Sequence, residues 1–331
     1  MSASAIAETS FALSTQRLLF AGRQILFRTN DPGIARYAGE IFSEIQDSEL
    51  SSQSAHAAVT IHVQETDEPC DNAPRFRARG HFAVARFTRA DWFWFNLRTR
   101  EVHGTCSPEL AADGRRWRAH IFPALLGILS AVMDVAPVHA ACLAREGRGI
   151  LLAGHSGAGK STLTVAMARR GHALLSDDWT YLASAESGVN KSGIEAWTLP
   201  VPVKLLPDAD AFFPELLAYC PEVSLNGEIA YEVCPEECFG VSRILHCPVT
   251  AIVLLERVKT PGCSMIPISP EEAIRHLQAE VEPLEGSLAS CYEKQIDLIR
   301  RLQNASCYRI LFNDHPDKAA EALDIALSRL S

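Results

Sequence analysis

The octapeptide Gly154-His155-Ser156-Gly157-Ala158-Gly159-Lys160-Ser161 constrains this chain more than any other stretch. It spells G-x-x-x-x-G-K-S, a pattern that carries physical meaning only where a strand leads in and a helix leads out. Both flanks are present. Gly149-Ile150-Leu151-Leu152-Ala153 reads as a short buried strand, and Thr162 to Arg170 reads as a helix closed by Gly171. Glycines let backbone N–H groups turn inward without Cβ clashes. The helix N-terminus adds unsatisfied N–H groups and partial positive charge. The expected ligand is a nucleoside triphosphate lying against Gly154 to Ser161 and Thr162. Lys160 would reach the β/γ-phosphates, and the Ser161 hydroxyl would ligate Mg²⁺. The expected fold class is α/β.

Composition narrows the alternatives. The chain has 331 residues, 47% hydrophobic and 21% charged, enough for two domains with substantial cores. A formal net charge of -9 and the lack of a lysine or arginine block argue against a nucleic-acid partner. Met1-Ser2-Ala3-Ser4-Ala5 shows no basic region followed by an apolar stretch, so no signal peptide is expected. The longest apolar segment, Ile121 to Met133, contains Pro123 and falls short of the roughly 20 residues of a membrane span. Ten scattered cysteines do not resemble a disulfide framework. Cys220, Cys234, Cys238, His246 and Cys247 lack the paired knuckle of a zinc site. Reduced cysteines in a cytoplasmic protein are the expectation.

The N-terminal domain, residues 1–112, reads as β-rich α+β, with strands at Arg17–Phe20, Gln24–Arg28, Ala58–Val63, Phe82–Phe87 and Trp92–Leu97. A helix is expected from Pro32 to Ile45, and loops at Asp47–Ser54 and Glu65–Pro74. The second domain, residues 113–331, opens with a helix from Gly114 to Val135. Strands follow at Val138–Leu143, Ile150–Ala153, Ala173–Leu175 and Trp179–Leu182. The proline- and acid-rich stretch Val189–Gly240 reads as loop or lid. Thr250–Leu255 and Cys307–Phe312 read as strands. Ser269-Pro270-Glu271-Glu272 is a helix start with a serine cap and an early proline, and Asp317–Leu330 is a final helix.

Two adjacent carboxylates, Asp177 and Asp178, stand just after the strand that follows the loop helix. A strand end places them at the carboxyl edge of the sheet, where the loop also opens. One can serve a metal while its neighbour faces a phosphoryl acceptor and takes its hydroxyl proton. Without the loop upstream, the same pair would read as a solvated turn.

From His139 to Asp178 the chain resembles the C-terminal domain of the bacterial HPr serine kinase/phosphorylases. That family shows a histidine before a strand, then G-D-S-G-x-G-K-S, a helix, R-G-H-x-L and an aspartate pair. The counterparts here are His139, Gly154 to Ser161, Arg170-Gly171-His172 with Leu174, and Asp177-Asp178. The resemblance implies a P-loop core of the HPr kinase/PEP carboxykinase type that uses ATP and Mg²⁺. It implies that Asp178 is the general base, that His139 modulates its ionisation and that Lys160 stabilises the transferred phosphoryl. Ser161 would hold Mg²⁺, with Asp177 assisting. The family often assembles as hexamers, which implies a homo-oligomer.

The sequence also departs from that pattern. His155 replaces an aspartate in the loop, Thr162 replaces a glutamate, and the family's later E-I-R-G-L-G segment has no match. Trp197 to Asp208 stands there instead. Phosphorylase chemistry and HPr as substrate are therefore not expected. The remaining resemblance is to divergent HPr-kinase-like proteins, including kinases that phosphorylate a serine of lasso-peptide precursors. A serine-containing small protein or precursor peptide is the expected partner. Lys204 and Arg243 are the basic residues to watch for a further phosphate or carboxylate contact. Two alternatives stay open: a small-molecule kinase or carboxykinase-type enzyme, and a nucleotide-binding regulatory protein without turnover.

Overall fold

In the first sheet, residues alternate between solvent and core. β1 (Ser14–Phe20) and β2 (Arg23–Thr29) form a hairpin whose Leu18, Phe20, Ile25 and Phe27 are buried. The computed structural model describes residues 13–44, 55–64, 66, 75–185, 193–224, 227–260, 262–313 and 315–328. Met1–Ala5, the spacers Asp47–Ser54 and Glu65–Pro74 (Thr66 aside), Ile45 and the last residues of the final helix lie outside them. The fold is mixed α/β and divides into two compact units, Met1–Phe122 and Pro123–Ser331.

In the first unit, α1 (Pro32–Ile41) starts where the Asp31 carboxylate accepts a hydrogen bond from the Ile34 N–H at 2.8 Å, with Pro32 at the first position. The remaining strands are β3 (Ser43–Glu44), β4 (Ala57–Val63), β5 (Arg75–Arg79), β6 (Phe82–Arg86), β7 (Trp92–Asn96) and β8 (Glu101–Cys106). The sheet order is β3-β1-β2-β4-β8-β7-β6-β5. Phe87, Phe93, Phe95 and Trp117 are fully buried, and burial of each such side chain stabilises the fold by roughly 1.5–3 kcal/mol. Two of these strands carry no clear sequence signal. β5 is exposed along its whole length and offers only Phe76 and Ala78 as an apolar face, while β8 turns inward only Val102, Gly104 and Cys106. Gly104 is required there, because a Cβ would lie 2.3 Å from the Phe93 ring.

After α2 (Pro108–Ala112), α3 (Gly114–Arg116) continues through a π-helical turn, Trp117–Ile121, into α4 (Phe122–Ser130). The helix expected to reach Val135 stops at Ser130. Asp134 adopts a left-handed φ of 54° and Pro137 disfavours helix at the residue before it, so β9 (Ala136–Val138) follows.

The second unit is built on β10 (Ala140–Arg145), β11 (Arg148–Ala153), β12 (Ala173–Ser176), β13 (Thr180–Ser184), β14 (Ile194–Trp197), β18 (His246–Arg257), β19 (Cys263–Pro267) and β20 (Ser306–Phe312). The order is β12-β10-β11-β18-β14-β13-β9, with β20 parallel to β18 and β19 antiparallel to β20. From Ala251 to Leu255, β18 is apolar and buried without alternation because both its faces are covered there. Ala251, Val253 and Leu255 pack with α5 (Lys160–Arg169) and α9 (Pro316–Ser328). Ile252 and Leu254 pack with α7 (Pro270–Ala279) and α8 (Ala289–Arg300). At the start of α7, the Ser269 hydroxyl accepts from the Glu272 N–H at 3.2 Å, as its sequence predicts.

The stretch expected to be loop or lid is largely ordered secondary structure where described. β14 joins the main sheet. β15 (Val203–Leu205), β17 (Ile229–Val233) and β16 (Glu222–Val223) form a three-stranded sheet, followed by α6 (Pro235–Phe239). Val203, Leu205, Phe213, Leu216, Tyr231 and Val233 are buried in the cluster that includes α5. Three of the six prolines that suggested a loop stand at the first turns of short helices, at Pro207, Pro214 and Pro235.

Arg170-Gly171-His172 fastens α5 to α9. Arg170 Nε donates to Asp324 Oδ2 at 2.6 Å and His172 Nε2 lies 2.6 Å from Asp324 Oδ1. Burial holds the His172 imidazole below its ordinary value despite the carboxylate. An ionised carboxylate can only accept, so the ring nitrogen facing it, Nε2, carries the proton and donates. Burial alone would raise Asp324, but the His172 and Arg170 hydrogen bonds bring it below its ordinary 3.8. Removing the carboxylate leaves the buried His172 donor unpaired and frees the exposed Arg170. Asp324→Ala is expected to cost roughly 2–4 kcal/mol, a fall of about 5–12 °C in melting temperature by calorimetry. Because the carboxyl is depressed in the fold, its contribution is present above 3.8 and is lost as pH falls through the folded value.

Candidate active site

β10 runs antiparallel to both β11 and β12, whereas β18 is parallel to β11 and β20 to β18. β12, β11, β18 and β20 therefore finish at one edge of the sheet. There Asp177-Asp178 follows β12, the loop from Gly154 follows β11, and Arg257 and Phe312 close β18 and β20.

The loop is shaped by close approach. A Cβ on Gly154 would lie 2.8 Å from the Leu255 carbonyl oxygen of the neighbouring strand. Gly159, with a left-handed φ of 92°, caps α5. The Ala158 N–H bonds to His155 O at 3.0 Å, and the first helical bond runs from Leu163 N–H to Gly159 O at 2.9 Å. The N–H groups of Lys160, Ser161 and Thr162 precede that bond, so the first turn carries donors without intrahelical partners. His155, Ser156 and Gly157 are exposed, whereas Ala158 is buried.

Lys160 is 7% exposed, and its Nζ donates to the Gly154 carbonyl at 2.8 Å. Burial lowers its proton affinity below the usual lysine value, and the charges of Asp178 and Glu280 only partly offset this. Ser161 Oγ donates to the Asp177 backbone carbonyl at 3.4 Å. The buried Asp177 carboxyl is pushed up to about 6, first by burial and then by the Asp178 charge. The Lys204 N–H, 3.0 Å from Asp177 Oδ2, acts in the opposite direction.

Asp178 is exposed, and its Oδ1 lies 2.8 Å from His139 Nε2. The Ser176 hydroxyl shapes this turn by accepting from the Asp178 N–H at 3.3 Å and donating to Trp179 O at 2.6 Å. His139 Nδ1 faces Glu280 Oε2 at 3.7 Å, and the Trp179 ring stacks on the imidazole at 5.4 Å. The loop's His155 meets His276 of α7 edge-on at 5.5 Å. His276 is held below the usual imidazole range, chiefly by burial.

The fold thus gathers His139, Lys160, Ser161, Asp177 and Asp178 around one loop mouth. Lys204 meets the site through its backbone N–H. Its ammonium pairs with Glu228 at 2.6 Å. Arg243 is a buried structural residue, 2.8 Å from Glu236 and donating to Val201 O at 2.7 Å. Glu280, His276 and Arg257 carry no motif and were not legible as site residues, whereas Trp179 directly follows the aspartate pair.

A hydroxyl and a buried carboxylate are a partial set of hard oxygen donors. That set suits Mg²⁺, which completes its shell with water and phosphate oxygens. Among the described residues no three His, Cys, Asp or Glu side chains group to hold a metal by themselves. Cys247, one of the cysteines weighed for zinc, lies instead 3.9 Å from Cys142, sulfur to sulfur.

No protein-family profile matches the chain, and no curated protein matches it. Among solved structures it is similar to the HPr(Ser) kinase/phosphatase from Coxiella burnetii at 17% sequence identity. The match covers 59% of this chain and 97% of that one, with a TM-score of 0.30.

Proposed function

We propose that this chain is an ATP- and Mg²⁺-dependent kinase that transfers the γ-phosphoryl group to a serine hydroxyl of a small protein or peptide. One observation carries the reading: the Asp178 carboxylate, paired with His139 at 2.8 Å, stands at the same sheet edge as a glycine-rich loop whose lysine feels its charge. Asp178 takes the acceptor proton as the serine oxygen bonds to the γ-phosphorus. The bond from phosphorus to the β–γ bridging oxygen breaks and ADP leaves. Lys160 and the first-turn N–H groups of α5 stabilise charge on the phosphates. Ser161 and Asp177 would hold Mg²⁺, which when bound neutralises phosphate charge.

The direct test is transfer of label from γ-labelled ATP to candidate peptides encoded beside this gene. Labelled serine supports the reading; ATP consumed by a metabolite, or bound without turnover over hours, overturns the peptide kinase.

Glu280 acts here through His139, as a positioning residue that fixes the ring between two carboxylates. Glu280→Gln is expected to lower kcat roughly tenfold, with KM for ATP unchanged within about twofold. A change in KM alone would assign Glu280 to nucleotide binding instead.

A further inference from the structure

We infer that the nucleoside half of the nucleotide lies over the carboxyl ends of β18 and β20, its base stacked on the Arg257 guanidinium, which itself rests on Phe312. The inference builds on the nucleotide-binding reading and adds the base-recognising part of the site.

Topology sets the direction. From the loop after β11, Asp177 and Asp178 lie on the side of β10 and β12, while β18 and β20 lie on the other. A triphosphate seated on the loop with its γ end toward Asp178 leaves its nucleoside on the β18 side. This follows the general tendency of α/β sheets to bind ligands along the carboxyl edge.

The side chains there suit a flat base. Arg257 pairs in register with Phe312, and its guanidinium sits 4.7 Å from the ring centroid. Phe312 is 2% exposed and belongs to the core cluster, so it is a fixed floor. Arg257 is exposed, leaving its guanidinium accessible to a second planar group. The floor is tied down: Val258 N–H bonds to Phe312 O at 3.2 Å, and Asn313 Nδ2 to Lys259 O at 3.2 Å.

Arg257 also lies beside the phosphate loop. A Cβ on Gly159 would meet its Nη2 at 3.0 Å and the Phe312 ring at 3.6 Å. Among the described residues Arg257 has no ion-pair partner, whereas the nearby Arg309 is held by Glu256 and Glu272. A nucleoside triphosphate is the ligand class that uses both the loop and this platform.

Calorimetric titration of the full chain with ATP, ADP and inorganic tripolyphosphate, each with Mg²⁺, tests this. Arg257→Ala is expected to weaken ATP and ADP roughly 10- to 30-fold, with tripolyphosphate changed by less than about threefold. Arg257→Lys, which keeps the charge and loses the plane, is expected to match Arg257→Ala toward ATP. Thermal melts that match wild type establish that both variants are folded. Equal weakening of ATP and tripolyphosphate with rescue by lysine would make Arg257 a phosphate contact and overturn the inference, as would unchanged ATP binding. Wild-type protein that binds neither ATP nor tripolyphosphate would instead overturn the nucleotide reading itself.

Discussion

Asparagine at position 178 is expected to slow single-turnover transfer to the acceptor serine by roughly 10²- to 10⁴-fold. The substitution keeps the side chain's shape and the oxygen that faces His139 Nε2 at 2.8 Å, but it removes the basic carboxylate. The position is exposed, so the fold has little to lose. ATP affinity is expected to stay within about threefold, since the loop and Lys160 hold the phosphates. Transfer at the wild-type rate would remove Asp178 from the role of base. A matched loss of ATP binding would move it from proton transfer to ligand binding.

Different parts of this site were legible in the sequence for different reasons. The loop could be read because its chemistry requires particular residues in consecutive order: a glycine where Leu255 O crowds the backbone, another at positive φ, then Lys160 and Ser161. Asp177 and Asp178 could be read because a strand end fixes their location relative to that loop. Arg170-Gly171-His172 carried the family resemblance, yet in the fold it clasps Asp324, a partner far along the chain that no local pattern announces. Glu280 and Arg257 reach the site from elements whose own sequence concerns helix capping and core burial, so only the tertiary fold reveals them. The same limit hid the three-stranded sheet around β17. Its short strands were masked by six prolines, three of which begin short helices.

Lys160→Met is expected to abolish measurable transfer, with a loss of roughly 10³-fold or more, and to weaken ATP binding at least tenfold. It is also expected not to destabilise the protein. The ammonium is 7% exposed, makes one bond to the Gly154 carbonyl, and has its proton affinity lowered by burial. A lysine whose value is depressed in the fold costs stability when charged, and that cost fades as pH rises through the folded value. Methionine fills the same space without the charge, so the melting temperature at pH 7 is expected to equal or exceed that of wild type. The excess should shrink as pH is raised toward the usual lysine range, because the wild-type amine then becomes neutral. A large drop in melting temperature would make Lys160 a structural residue, and transfer that survives the substitution would detach the loop from the chemistry proposed for it.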